Sequence, residues 1–347
     1  MDATDKPWHD ERVSERSEQT MKAAYIERTG PARDVLKVGD VADPSPQAGE
    51  VLVRIRVSGV NPSDVKTRGG SSDRPPFARK VVIHNDGAGE IAAVGAGVDK
   101  GRIGERVWLH NTDWVNPLGT AAELVAVSAA NAEPLLDGYG FDEGACFGVP
   151  LLTAYHGVTV GGPVQGKTVF VTGGAGAVGH YCIQLAKAKG ATVIASVSSD
   201  AKAKAAREAG ADHTVNYRTE DVPAAVAAIT GGKGVGHYIE VNLSANGKDL
   251  SKLMGFGGTI AVYGSDNAVA AFESRMLRVK QAAMFFFNVY ALPEETLRAA
   301  KTDLAKMLKA THLRTLIAAR FPLDRIVEAH EAVESGRLLG NAVVEAG

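Results

Sequence analysis

The chain has 347 residues, 45% of them hydrophobic and 22% charged, with a formal net charge of -2. That balance excludes an electrostatic pull toward nucleic acid or an anionic membrane, and the length favours two domains with ample core. Cys146 and Cys182 lack metal-type spacing and there is no apolar run of about 18 residues, which excludes a disulfide framework and a transmembrane helix and implies a reducing, cytoplasmic setting.

Residues 1–20, MDATDKPWHDERVSERSEQT, are polar, carry both signs of charge and lack an apolar signal core. They read as a disordered extension ahead of Met21. From Met21 to about Val127, MKAAYIERTG, EVLVRIRVSGV, GAGEIAAVGAGV, GERVWLH and AAELVAVSAANAEPL alternate apolar and polar residues between glycine and proline clusters. Period-two alternation predicts short strands, hence a small barrel or sandwich without a long helix. The texture changes after Phe141. DEGACFGVPLLTAYHGVTV has helical spacing, with Asp142 as its expected N-cap. KTVFVTGG, ATVIASV, DHTVNY, GHYIEVN and TIAVYGS then read as buried strands. The helices AVGHYCIQLAKAKG, SDAKAKAAREAGA, TEDVPAAVAAITGG and ANGKDLSKLMGFGG alternate with them. Such alternation predicts βαβ units and a parallel sheet. Helical patterns in LPEETLRAAKTDLAKMLKATH and FPLDRIVEAHEAVESG follow, and the strand NAVVEAG ends the chain.

VFVTGGAGAVG contains Gly174-Ala175-Gly176-Ala177-Val178-Gly179, a G-x-G-x-x-G between a strand and a helix. That context points to dinucleotide binding. Gly174 permits the tight turn, Gly176 a close approach of the pyrophosphate, and Gly179 helix–strand packing. The backbone of Ala177 and Val178 opens a helix whose N–H groups attract phosphate. A purely structural strand-to-helix turn is the alternative.

The ribose-binding carboxylate of an NAD site belongs at the end of the next strand. Val197 stands there, followed by Ser198, Ser199 and Lys202. Hydroxyls and a cation suit the 2′-phosphate of NADPH. Helix capping by Ser198, Ser199 or Asp200 with a solvated lysine is the other reading, and Asp200 adds opposing charge.

GVNPSDVKTRGG, DGAGEIAAVG, PLLTAYHGV, VTGGAGAVG, AGADHTVNY and FPLDRIVEAHEAVESG occur in this order from Met21 onward. In that order they resemble the quinone oxidoreductase (zeta-crystallin-like) branch of the medium-chain dehydrogenase/reductase superfamily. The resemblance implies an α/β plus β fold. A GroES-like catalytic domain (21–144 and 285–347) would carry an inserted Rossmann domain with a doubly wound parallel sheet (145–284), and NADPH would lie in the cleft between them. It implies a homodimer or homotetramer. Lys202 would take the 2′-phosphate and Tyr217 would flank the adenosine. Asn61 and Thr153 would sit near the nicotinamide, with Asn242, Tyr263 and Gly264 along the cofactor. Phe286 and Phe287 would mark the domain crossing. Asn341 follows Gly340 where the family often has Gly-Lys.

Zinc-dependent relatives hold the metal with Cys, His and Cys; here the aligned places carry Asn61, Asn85 and Val149, so no metal is expected. Cys146 and Cys182 read as core, and His84 as a lone loop histidine. Asn61, Asn85 and Lys66, the last where relatives often carry Tyr, are the candidate catalytic polar groups. Lys66 also reads as a solvated surface lysine. FFFNVY, Phe285 to Tyr290, reads as core or dimer interface, or as an apolar wall for a flat acceptor. Without a Lewis acid, hydride transfer from NADPH to a quinone is the leading function. The alternatives are reduction of an activated C=C bond, in an alkenal or enone, and NADPH binding without significant turnover.

Overall fold

A computed structural model describes residues 19–70, 80–112 and 117–347. The expected extension falls outside the described residues as far as position 18. Its last residue does not belong to it, because Thr20 already pairs with Ala42.

The first half of the chain is antiparallel. Its strands are β1 (Thr20–Ile26), β2 (Lys37–Ala42), β3 (Glu50–Val60), β4 (Val81–Val82), β5 (Asp86–Val94), β6 (Arg106–Leu109), β7 (Leu124–Ser128) and β8 (Ala132–Pro134). β3 organises them. Val51, Val53 and Ile55 point into the core while Arg54 faces water, the alternation visible in the sequence. From Val57 to Val60 every residue is buried, because neighbouring segments cover both faces of β3 there, Gly59 lying against the Ala145 carbonyl, while two partner strands flank it. Those partners are β5 and β16 (Asn341–Glu345), so the C-terminus completes the N-terminal sheet. β15 (Ile317–Pro322) lies beyond β16, parallel to it.

The middle of the chain forms a six-stranded sheet in the order β11-β10-β9-β12-β13-β14. Its strands are β9 (Thr168–Val171), β10 (Thr192–Val197), β11 (His213–Asn216), β12 (Val235–Glu240), β13 (Met254–Val262) and β14 (Ala283–Phe286). Each neighbouring pair is parallel. The order reverses between β9 and β12, which opens a crevice at the carboxyl ends of those strands. Helices Ala177–Ala188, Asp200–Glu208 and Val222–Thr230 connect β9 through β12. The largest core joins this layer to the barrel through Phe147, Tyr181, Leu304 and Val343.

Three local expectations change. The helix expected to start at Asp142 is capped by Gly140 and stops at Gly144; a wider turn at Phe147–Leu151 follows before Leu152–Thr159. Pro150 has no N–H to continue the helical ladder. Asp142 instead pairs with Arg320 at 2.6 Å. ANGKDLSKLMGFGG is not one helix: short turns end at Leu253 and β13 begins at Met254. Three glycines, Gly255, Gly257 and Gly258, disfavour helix there. The aromatic run supplies the edge strand β14, paired with β13 from Ala283 to Phe286.

Candidate active site

The crevice begins at the glycine turn. Helix Ala177–Ala188 starts after Gly176, so the first-turn N–H groups, those of Ala177 and Val178 included, lack intrahelical acceptors. A Cβ at Gly174 would lie 2.7 Å from that of Ala195, and one at Gly179 would lie 2.2 Å from the Gly173 carbonyl oxygen. Those two glycines let the turn press against its sheet. At Gly176 a Cβ would meet only the Gly173 oxygen, at 3.2 Å. This residue therefore leaves an open cradle at a helix N-terminus, which fits a pyrophosphate. Gly340 bridges to Gly176. Asn341 beside it is buried, and both its backbone and side-chain N–H groups reach the Leu316 carbonyl.

Val197, the last residue of β10, is buried and accepts the Tyr217 N–H at 3.0 Å. Tyr217 itself is exposed at the end of β11. Ser199 Oγ accepts the Lys202 N–H at 3.3 Å, so this serine caps helix Asp200–Glu208. Ser198 and Lys202 are half-buried residues beside it, and Lys202 has no ion pair among the described residues.

The other side of the crevice is stitched by side chains. Asn242 Nδ2 donates to Asp266, while its Oδ1 accepts from Ser244 Oγ at 2.9 Å and from the Asp266 N–H. A cavity of about 580 Å³ opens over β13 and β14, lined by Tyr263, Gly264, Ser265, Phe286, Phe287 and Asn288. Phe287 packs edge-on against His156 at 4.6 Å and near Tyr263 at 6.3 Å. Burial raises the Tyr263 phenol well above its usual range and lowers the half-buried His156 imidazole. Phe286, 65% exposed, sits at the cavity rim. Thr153 is buried on helix Leu152–Thr159, one turn before His156.

The polar residues expected near an acceptor lie on the barrel. Asn61 caps helix Pro62–Gly69 and Asn85 precedes β5; both side chains are buried. Asn61 Nδ2 donates to Asp86 at 2.7 Å, and Asn85 Nδ2 to Asp64 at 3.2 Å. Asp86 also accepts the Val149 N–H at 2.8 Å, and Asp64 the Asn61 N–H at 2.7 Å. The three positions expected to replace metal ligands are thus joined by two carboxylates. An ionised carboxylate only accepts, which fixes which end of each amide faces it. Among the described residues no group of three or more His, Cys, Asp and Glu side chains is placed to hold a metal ion. Lys66, on the same helix, reaches across to the Ser265 carbonyl at 3.4 Å, and Ser63 Oγ bonds Tyr290 Oη at 2.6 Å. The first contact joins the helix to the cavity lining, and the second ties it to the segment that follows β14.

His84 is not a lone loop histidine. It is fully buried at φ 78°, its Nδ1 is 2.8 Å from Ser58 Oγ and its Nε2 is 2.9 Å from His330 Nε2. One of the facing nitrogens carries hydrogen and the other accepts, so the accepting ring is neutral, and burial disfavours charge on the other. Burial drives both pKa values down, that of His330 to about 3. Cys146 and Cys182 are buried thiols, each pushed up by desolvation. Sequence reasoning missed Asp64 and Asp86. The signal for Asp64 was its place three residues after an Asn N-cap, the geometry of a capping box.

Family models match in two stretches: an alcohol dehydrogenase GroES-like domain over residues 47–137 and a zinc-binding dehydrogenase domain over 177–307. The quinone oxidoreductase of Homo sapiens is 28% identical, aligned over 92% of this chain and 95% of its own. The 2-haloacrylate reductase of a Burkholderia species is 29% identical over 93% and 98%. A mycobacterial protein solved with NADPH superposes with a TM-score of 0.83 at 26% identity, over 94% of this chain and all of that one. The chain is therefore an oxidoreductase enzyme with a GroES-like domain and a Rossmann-type parallel sheet, and it belongs to the quinone oxidoreductase branch of the medium-chain dehydrogenase/reductase superfamily.

Proposed function

We propose that the chain is an NADPH-dependent, zinc-independent reductase that transfers hydride to a quinone. The observation that carries this reading is the pairing of Asn61 and Asn85 with Asp86 and Asp64, which fills the place of a metal with a hydrogen-bonded amide–carboxylate network. At those three positions thiolate and imidazole ligands give way to two amides and a valine, which have little affinity for zinc, and the neighbouring carboxylates are engaged by the amides. An acceptor that needs no Lewis acid is then favoured. NADPH, when bound, supplies the hydride; the chain supplies orientation and electrostatics.

In this reading Gly174, Gly176, Ala177 and Val178 hold the pyrophosphate. Ser198 and Lys202 take the 2′-phosphate, with Ser199 shaping their helix start and Tyr217 against the adenosine. Asn242, Tyr263, Gly264, Thr153 and Phe287 enclose the nicotinamide half. Asn61, Asn85 and Lys66 address the acceptor, the Lys66 ammonium favouring negative charge that develops on it. Asn341 acts through Gly340, because its side chain is held by Leu316. The catalytic domain comprises 21–144 and 285–347, and the nucleotide domain 145–284. The edge strand β14 and the exposed Phe272, Met276 and Phe286 supply the surface of a homodimer. We place the enzyme in the cytoplasm.

Reduction of an activated C=C bond is the second reading. It is favoured by the relative named 2-haloacrylate reductase and by the cationic Lys66 at the crevice, which suits an anionic acrylate. The test is oxidation of NADPH, with NADH as control, against quinones, enones and 2-haloacrylates, before and after chelation, with zinc content measured. Turnover of quinones by NADPH without zinc supports the proposal. Turnover of acrylates alone supports the second reading, and tight NADPH binding without turnover of any acceptor defeats both.

A further inference from the structure

We propose that Glu240 is a positioning residue for the nicotinamide half of the cofactor. The proposal rests on the NADPH reading of the crevice. Glu240 ends β12, next to β9, at the point where the strand order reverses. It is fully buried, where an acidic side chain is costly without a role.

Its hydrogen bonds run to both lips of the crevice. Oε1 accepts from the Asn242 N–H and from Asn246 Nδ2 at 2.9 Å, and it shares the single Thr172 hydroxyl hydrogen, at 3.3 Å, with the nearer Ile239 carbonyl at 3.0 Å. Thr172 is the residue immediately before the glycine turn. Its hydroxyl also accepts the Val241 N–H at 2.9 Å, closing the link between the ends of β9 and β12. The Glu240 backbone carbonyl accepts the Tyr263 N–H at 3.1 Å. The Glu240 side chain therefore fixes the backbone at Asn242, and its main-chain carbonyl, which every variant keeps, fixes Tyr263; the functional reading puts both positions along the cofactor. Oε2 is buried and makes no hydrogen bond of normal geometry, and burial holds the Glu240 carboxyl above its ordinary pKa against the opposing pull of its donors.

The sheet order says which half of the cofactor feels this. Lys202 and Tyr217 belong to the β10–β11 side, whereas Asn242 and Tyr263 belong to the β12–β13 side. A ligand that stretches across the reversal puts its adenosine phosphate on the first side and its nicotinamide on the second. Loss of Glu240 must then loosen one end of the ligand and spare the other. General damage to the fold would weaken both.

The test compares two probes on the full-length protein: NADPH, and adenosine 2′,5′-bisphosphate, which carries the 2′-phosphate but no nicotinamide. For Glu240→Ala we expect NADPH to bind about tenfold more weakly, the scale of a hydrogen bond to a charged group, with binding of the bisphosphate unchanged. Glu240→Gln keeps an acceptor oxygen and should restore NADPH to within about threefold of wild type. Thr172→Val, nearly isosteric, is the second probe if Glu240→Ala fails to fold; it should show the same selective loss, about threefold. Equal losses for the two ligands, or no loss for NADPH in Glu240→Ala or, where that variant does not fold, in Thr172→Val, would overturn the proposal while leaving the NADPH reading intact. Failure of the wild-type chain to bind NADPH would overturn that reading and this inference together.

Discussion

The two ends of the crevice are built on opposite principles. The nucleotide end is made of backbone: a glycine turn, a helix start and strand ends, half-open to solvent. The acceptor end is made of side chains, with Asn61, Asp64, Asn85 and Asp86 all buried and bonded to one another. Behind it the neutral His84–His330 pair adds a second buried polar layer. A backbone site tolerates most side-chain changes but no added atom at a point of close contact. A buried polar network tolerates small shape changes but not a change of charge, because each unpaired group loses its hydration without replacement. Perturbing atoms at one end and protons at the other therefore separates them.

The largest effect is expected at the glycine turn. Gly179→Ala places a Cβ against the Gly173 carbonyl and should destabilise the chain by about 3 kcal/mol, read as a lowered denaturant midpoint. Gly176→Ala meets looser surroundings and should keep the fold while weakening NADPH binding. If both variants lower stability equally, the open cradle at Gly176 does not exist.

Acid should strike the polar layer. His84 lies well below its ordinary 6.5, and His330 and His110 lie at about 3, all chiefly through burial. An imidazole depressed in the folded state takes up its proton first in the unfolded chain. Stability is then full above about pH 6.5 and is lost as pH falls toward 3. His330 and His110 each cost about 2 kcal/mol by pH 5, and His84 acts in the same direction. Urea midpoints at pH 7.5 and pH 5 measure this, and equal midpoints would contradict the neutral His84–His330 pair.

A smaller change is expected for Lys202→Ala: NADPH binding weaker by about 1.5 kcal/mol, NADH unchanged, and the difference reduced by salt. An equal loss for both nucleotides would mean that the lysine supports only its helix. The smallest effect belongs to Ser63→Ala, which removes the 2.6 Å contact to Tyr290 and should cost about 1 kcal/mol in thermal unfolding.

The sequence by itself determined the features that depend on near neighbours. Period-two alternation around Val51, Val53 and Ile55 predicts β3, and the spacing of Gly174, Gly176 and Gly179 predicts a strand, a turn and a helix start. Ser199 was legible as a cap or a phosphate ligand; its oxygen accepts the Lys202 N–H as a cap does, which leaves its hydroxyl hydrogen for a phosphate, so both readings stand. Tertiary structure decided whatever joins distant segments. It alone paired β16 with β3, brought His330 to His84, 246 residues away, and gave Asn61 and Asn85 their carboxylates. Local preference carries no information about such partners. A buried amide, imidazole or carboxyl must satisfy its hydrogen bonds with whatever the fold brings near, and that choice is made only when the two layers close on each other.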